Sequence, residues 1–125
     1  MTGFLKHALK IDANLSARIV GCEFEAQLKY LVDPDERQRD RKIREFKDSL
    51  FPRSEKWGEL YAMVEYVVAK NLCRVPPDDL RVTRTLHNDA MHMRRDLNKH
   101  RTGKSDVEKM IRVTGELPEQ SRSQQ

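Results

Sequence analysis

Five prolines divide this 125-residue chain into pieces of helix length. They stand at Pro34, Pro52, Pro76, Pro77 and Pro118. Proline lacks the amide donor a helix interior needs, and it pushes the preceding residue out of the helical region. Between these breaks the apolar residues recur every three or four positions, the helical period, and clean β-type alternation is hard to find. The chain is therefore expected to be a series of helices joined by short turns.

Taken in order, residues 1–12 read as a short amphipathic helix or an N-terminal arm, with Phe4, Leu5, Ala8, Leu9 and Ile11 as its apolar side. Asn14 can cap a long helix reaching about Val32. There Leu15, Ile19, Cys22 and Ala26 fall at i, i+4, i+7 and i+11, and Val20, Phe24, Leu28 and Leu31 widen the stripe. Gly21 weakens this helix by about 1 kcal/mol relative to Ala, which a close helix–helix contact would explain. Asp33-Pro34-Asp35-Glu36 predicts a second helix, with Asp33 as cap and Pro34 in the first position. Its apolar residues are Ile43, Phe46 and Leu50. Ser54 can cap the next helix, whose stripe of Trp57, Leu60, Tyr61, Val64, Val67, Val68 and Leu72 is the strongest in the chain and is expected at the centre of the core. After Pro76-Pro77, Asp78 or Asp79 opens a helix that presents Leu86, Ala90, Met93 and Leu97 to the core and stops at Gly103. Ser105-Asp106-Val107-Glu108 forms a capping box for a short last helix ending at Gly115 and Leu117-Pro118.

These segments predict an all-α fold, an antiparallel bundle of four to five helices. They make one helical domain over residues 1–117, with a disordered polar tail over 118–125. Cys22 and Cys73 each lie in an apolar stripe and are expected as buried free thiols. No run approaches the 18 apolar residues of a membrane span. MTGFLKHALK is too short and polar for a secretory signal, so a cytoplasmic location is expected.

Charge narrows the function classes. The net charge is +4 and the pI about 9.2, a mildly basic balance compatible with nucleic acid. Between Arg37 and Arg44 lie Arg37, Arg39, Arg41, Lys42 and Arg44 against Asp40 alone, either a solvated outer face or a phosphate-facing one. Arg81, Arg84 and Arg94 extend the set of candidate phosphate contacts. His87 and His92 are poorly spaced for a shared metal, and no carboxylate or cysteine stands at clear ligand spacing, so neither a metal nor another cofactor is expected.

The segment from Asp79 to Gly103 holds three of the four histidines. Within it, Arg95-Asp96-Leu97-Asn98-Lys99-His100 sets an arginine and a histidine four residues apart, with a polar residue directly after the arginine. Metal-free RNA cleavage needs a group that takes the proton of a 2′-hydroxyl or protonates the leaving oxygen, and a histidine titrating near neutrality does either. It also needs positive charge where the phosphate becomes more negative, which a planar arginine supplies with paired donors. Arg81 with His87 and Arg94 with His100 are looser matches, each with five residues between. On Arg95, Asp96 and His100, with an apolar helix leading in and a short amphipathic helix following, the chain resembles the HEPN superfamily of small helical bundles. The resemblance implies a metal-independent endoribonuclease acting on RNA, with those three residues catalytic, in toxin–antitoxin systems or phage defence. It also implies a homodimer, and it leaves room for an antitoxin or defence-complex partner protein. Along an ideal helix Arg95 and His100 are about 140° apart, so two copies that each contribute a segment are the expected route to convergence. Two readings stand beside this one: a non-catalytic basic subunit of a ribonucleoprotein defence complex, and a protein-interaction bundle.

Overall fold

A computed structural model describes residues 13–92 and 103–119. Over these the chain forms five helices: α1 (Ala13–Val32), α2 (Glu36–Ser49), α3 (Glu59–Lys70), α4 (Pro77–His92) and α5 (Lys104–Glu119). No strand is present among the described residues. The all-α bundle read from the sequence is the observed fold.

Helix α1 is the hub. Along its first half Ala17 and Val20 pack against Leu86 and Ala90 of α4 and Val107 and Met110 of α5. Along its second half Phe24, Leu28, Leu31 and Val32 join Met63, Val64 and Val67 of α3, Leu80 of α4, and Val113 and Leu117 of α5. Early α1 thus meets late α4 and early α5, so α4 runs antiparallel to α1 and α5 runs parallel to it. Helix α2 has no fully buried residue. It rests on α3 through Ile43 and Phe46, and the Phe46 and Tyr66 rings meet edge to face at 5.3 Å.

The expectation that the Trp57–Leu72 helix sits at the centre is corrected in two ways. Trp57 lies outside the helix, which begins at Glu59 after Gly58, and Ser54 is not its cap. The buried Ser54 hydroxyl instead donates to the Lys47 carbonyl, tying the α2–α3 turn back onto α2. The buried residues of α3 are Ala62, Met63, Val64, Tyr66 and Val67, while Tyr61 is 38% exposed. Helix α3 therefore covers one end of α1 and is not the axis of the bundle. Val64 is fully buried there. Val64→Asp is expected to cost more than about 3 kcal/mol, from lost apolar burial and a carboxylate with no partner. A soluble Val64→Asp protein melting at the wild-type temperature would contradict this.

Other boundaries shifted for local reasons. Asp35, not Asp33, caps α2: its carboxylate accepts the Arg37 and Gln38 amides at 2.9 and 3.3 Å, while Asp33 accepts the Asp35 amide at 2.8 Å in the preceding turn. Asn71 ends α3 in the left-handed region, at φ 55°, a conformation asparagine tolerates better than most residues. Pro77 is the first residue of α4, where its missing amide costs nothing. Gly103 immediately precedes α5, and its amide donates to the Asp106 carboxylate at 3.0 Å, the reach-back half of a capping box placed two residues earlier than expected. Helix α5 also continues beyond Gly115 through Pro118, because Val113, Thr114 and Leu117 remain buried against α1. Burying Leu117 is worth about 1.5–3 kcal/mol, more than the roughly 1 kcal/mol cost of one helical glycine. The expected arm 1–12 and tail residues 120–125 lie outside the described residues.

The largest correction concerns α1. Leu15, Cys22 and Ala26, expected in the core, are exposed, and only Val20, Phe24, Leu28 and Leu31 of the two stripes are buried. Cys22 is accordingly a surface thiol, while Cys73 is buried as expected.

Candidate functional site

Arg95, Asp96 and His100, together with Arg94, lie outside the described residues. The described residues bring the end of α4, the start of α5 and the start of α1 to one end of the bundle. The N-terminus of α5, the positive end of its dipole, lies at that end beside exposed Lys104.

Arg81 and Arg84, two of the expected phosphate contacts, are engaged within the fold. Both meet Glu65 across the antiparallel α3–α4 pair. Arg81 donates to the two Glu65 oxygens at 3.1 Å each, and Arg84 donates to one at 3.2 Å. Burial alone would raise the Glu65 pKa, but the two guanidinium groups outweigh it and hold the carboxyl below its ordinary value. Glu65 in turn raises Arg81. The Arg84 guanidinium also lies 4.1 Å from the centre of the Tyr61 ring, and Tyr61 stacks toward Trp57 at 5.0 Å. An RNA phosphate would have to compete with Glu65 for both arginines. Arg81 retains 41% side-chain exposure, whereas Arg84 retains 12%. Glu65 escaped the sequence reading, although it is the one acid inside the apolar run Met63-Val64-Glu65-Tyr66-Val67-Val68. An unaccompanied carboxylate in such a run is a signal for a buried cationic partner.

The arginines of α2 divide by face. Arg39 is half-buried and donates to the Asp33 carbonyl at 3.1 Å, and Lys42 pairs with the Asp33 carboxylate at 2.9 Å. Lys42 is the main reason the Asp33 carboxyl sits below its usual range, with the Asp35 amide helping. These two cations join α2 to the end of α1. Arg37, Arg41 and Arg44 fall at i, i+4 and i+7 on the opposite face, and all three are exposed. Arg41 donates to Gln38, and none of the three makes an ion pair among the described residues. Asp40, Glu45 and Asp48 share that outer half of the helix, so the exposed track is mixed in sign. A groove between α2 and the start of α3, lined by Asp40, Ile43, Arg44, Lys47, Asp48 and Glu59, opens beside it.

His87 is the histidine the structure does describe fully. It is buried between α1 and α4, directly over Gly21, and its Nδ1 has no hydrogen-bond partner among the described residues. Burial lowers its pKa from the ordinary 6.5, against an opposing pull from the Glu25 carboxylate. Its place is structural packing, and the looser pairing of Arg81 with His87 is not a site: Arg81 faces Glu65. Among the described residues no three His, Cys, Asp or Glu side chains converge in a metal-binding arrangement, and no helix is long and apolar enough to cross a membrane. Comparison with known proteins finds no matching family model, curated protein or solved structure.

Proposed function

We propose that this chain is a HEPN-like, metal-independent endoribonuclease, acting in the cytoplasm in a toxin–antitoxin or phage-defence setting. The observation that carries the reading is the Arg95-Asp96-x3-His100 motif, which falls in the sequence between α4 and α5. His100 takes the proton of the 2′-hydroxyl, or delivers one to the leaving 5′-oxygen. The 2′-oxygen bonds to phosphorus, the bond to the 5′-oxygen breaks, and a 2′,3′-cyclic phosphate remains. Arg95 stabilises the extra negative charge on the phosphoryl oxygens, and Asp96 orients its neighbours. The test is RNA cleavage in EDTA by the wild type and by His100→Ala.

A second reading, a non-catalytic nucleic-acid-binding subunit, is favoured by the exposed Arg37, Arg41 and Arg44. In either case the RNA contact is electrostatic. Each phosphate neutralised on a single strand contributes about −0.7 to the slope of log affinity against log salt. Arg41→Ala with Arg44→Ala is expected to flatten that slope by about 1.4, measured by fluorescence anisotropy on single-stranded RNA. A slope unchanged by the pair would mean that the outer face of α2 is solvated surface only.

A further inference from the structure

A cavity of about 160 Å³ opens where α3 ends and α4 begins. The local sequence accounts for it. Asn71 ends α3 in the left-handed region, and the Asn71 and Leu72 amides donate to the Val68 and Val67 carbonyls at 3.2 and 3.1 Å. In the strap that follows, Cys73 and Val75 are buried and Arg74 between them is exposed. Pro76 and Pro77 come next. Proline fixes φ and has no amide donor, so the strap cannot wind into a further helical turn and close onto α3. The Pro76 carbonyl instead accepts the Asp79 and Leu80 amides at 3.0 and 3.2 Å, which starts α4.

The walls and the rim differ in character. Val67, Val68, Val75 and Leu80 line the cavity with the two proline rings, and Val67 and Leu80 belong to the buried core. Arg74 is the one charged residue among those lining it, and Asn71 stands beside it. The Arg74 side chain makes no hydrogen bond or ion pair among the described residues. The acids that open α4 do not line the cavity and act on other cations. Asp79 pairs with Lys109 at 3.4 Å and with Arg112 at 3.9 Å, and Asp78 acts on Arg81. An apolar chamber with one unpaired cation at its mouth suits a ligand with a hydrocarbon body and a single negative charge. The volume sets the size of that body, since a cavity of about 150 Å³ takes a molecule such as benzene. We propose that this cavity binds a small carboxylate with an aromatic or branched aliphatic body. The hydrocarbon packs on the valines and Leu80, the carboxylate meets the Arg74 guanidinium, and the Asn71 amide is a second donor. The inference does not rest on the ribonuclease reading, because the cavity lies at the start of α4 and the Arg95–His100 motif follows its end in the sequence.

The test uses the full-length protein at constant ionic strength, with benzoate as the probe and benzamide as its uncharged counterpart. Methyl-selective NMR should show saturable shifts centred on Val67, Val68, Val75 and Leu80, with a benzoate Kd on the order of 1 mM for a ligand of this size. Benzamide should bind at least about tenfold more weakly, because it forgoes the charge-assisted contact. Arg74→Gln should weaken benzoate at least about tenfold and leave benzamide unchanged. It should also leave the thermal midpoint of the ligand-free protein unchanged, because Arg74 is exposed. Val68→Phe should fill the chamber and abolish binding of both probes, and 2-naphthoate, too large for the cavity, should not bind the wild type. The absence of saturable shifts at these methyls with tens of millimolar benzoate overturns the proposal. So does benzamide binding as tightly as benzoate, or an Arg74→Gln protein that keeps the wild-type benzoate affinity. Those last two results would leave a merely greasy cleft with no preference for an anion.

Discussion

Gly21→Ala is expected to destabilise the fold by about 1 kcal/mol, and the same change is expected to stabilise it once His87 is removed. A Cβ built on Gly21 would stand 1.9 Å from His87 Nδ1 and 2.6 Å from its Cγ, distances no real contact reaches. The imidazole must move or α1 must lift from α4, and overpacking of this kind costs about 1–3 kcal/mol or more. Against that stands the better helix propensity of alanine, about 1 kcal/mol. In a His87→Ala background only the propensity survives, so Gly21→Ala should then add about 1 kcal/mol. Urea denaturation of the four proteins of this double-mutant cycle gives the coupling directly. Additive effects would show that the ring and the glycine are not in contact. The pH dependence has a defined direction as well. Burial depresses the His87 pKa below 6.5, so the unfolded chain binds the proton more readily than the folded one. The contribution of neutral His87 is therefore complete above that ordinary value and is lost as pH falls toward the folded-state pKa.

Gly21 also marks what was legible in the sequence. A glycine inside a helical stripe marks a close approach at Gly21, though not at Gly115 of α5, where a Cβ would meet nothing. The identity of the approaching group was not legible, since His87 is far away in sequence and was weighed only as a metal ligand or as half of a loose pair. The faces of α1 fail for a related reason. Periodicity reports that Leu15, Ile19, Cys22 and Ala26 share a side, and that Phe24, Leu28 and Leu31 share another, but it does not say which side the rest of the chain covers. Capping shifted where two candidates compete, as at Asp33 and Asp35, because both carboxylates satisfy amides and only the turn geometry set by Pro34 decides between them. The expected phosphate contacts split in a way charge density could not reveal: Arg39, Lys42, Arg81 and Arg84 are held by Asp33 or Glu65, while Arg37, Arg41 and Arg44 are exposed and make no ion pair among the described residues.

His100→Ala is expected to lower RNA cleavage by about 10²-fold or more, the usual scale for losing general acid–base help. Cleavage by the wild type should persist in EDTA and leave a 2′,3′-cyclic phosphate or its hydrolysis product, as read by end-group analysis. Arg95→Ala should also lower the rate. Arg95→Lys should recover only part of it, because an ammonium restores the charge without the paired donors of a guanidinium. Asp96→Ala should have a smaller effect, through orientation alone. RNA affinity should survive His100→Ala, since Arg37, Arg41 and Arg44 remain free to meet phosphate. Loss of rate with binding retained separates an enzyme from a binding subunit, because a subunit has no rate to lose. Failure to cut any RNA, with binding intact and any partner removed, would leave His100 as a cation favoured near a helix end and would move the assignment to the binding reading.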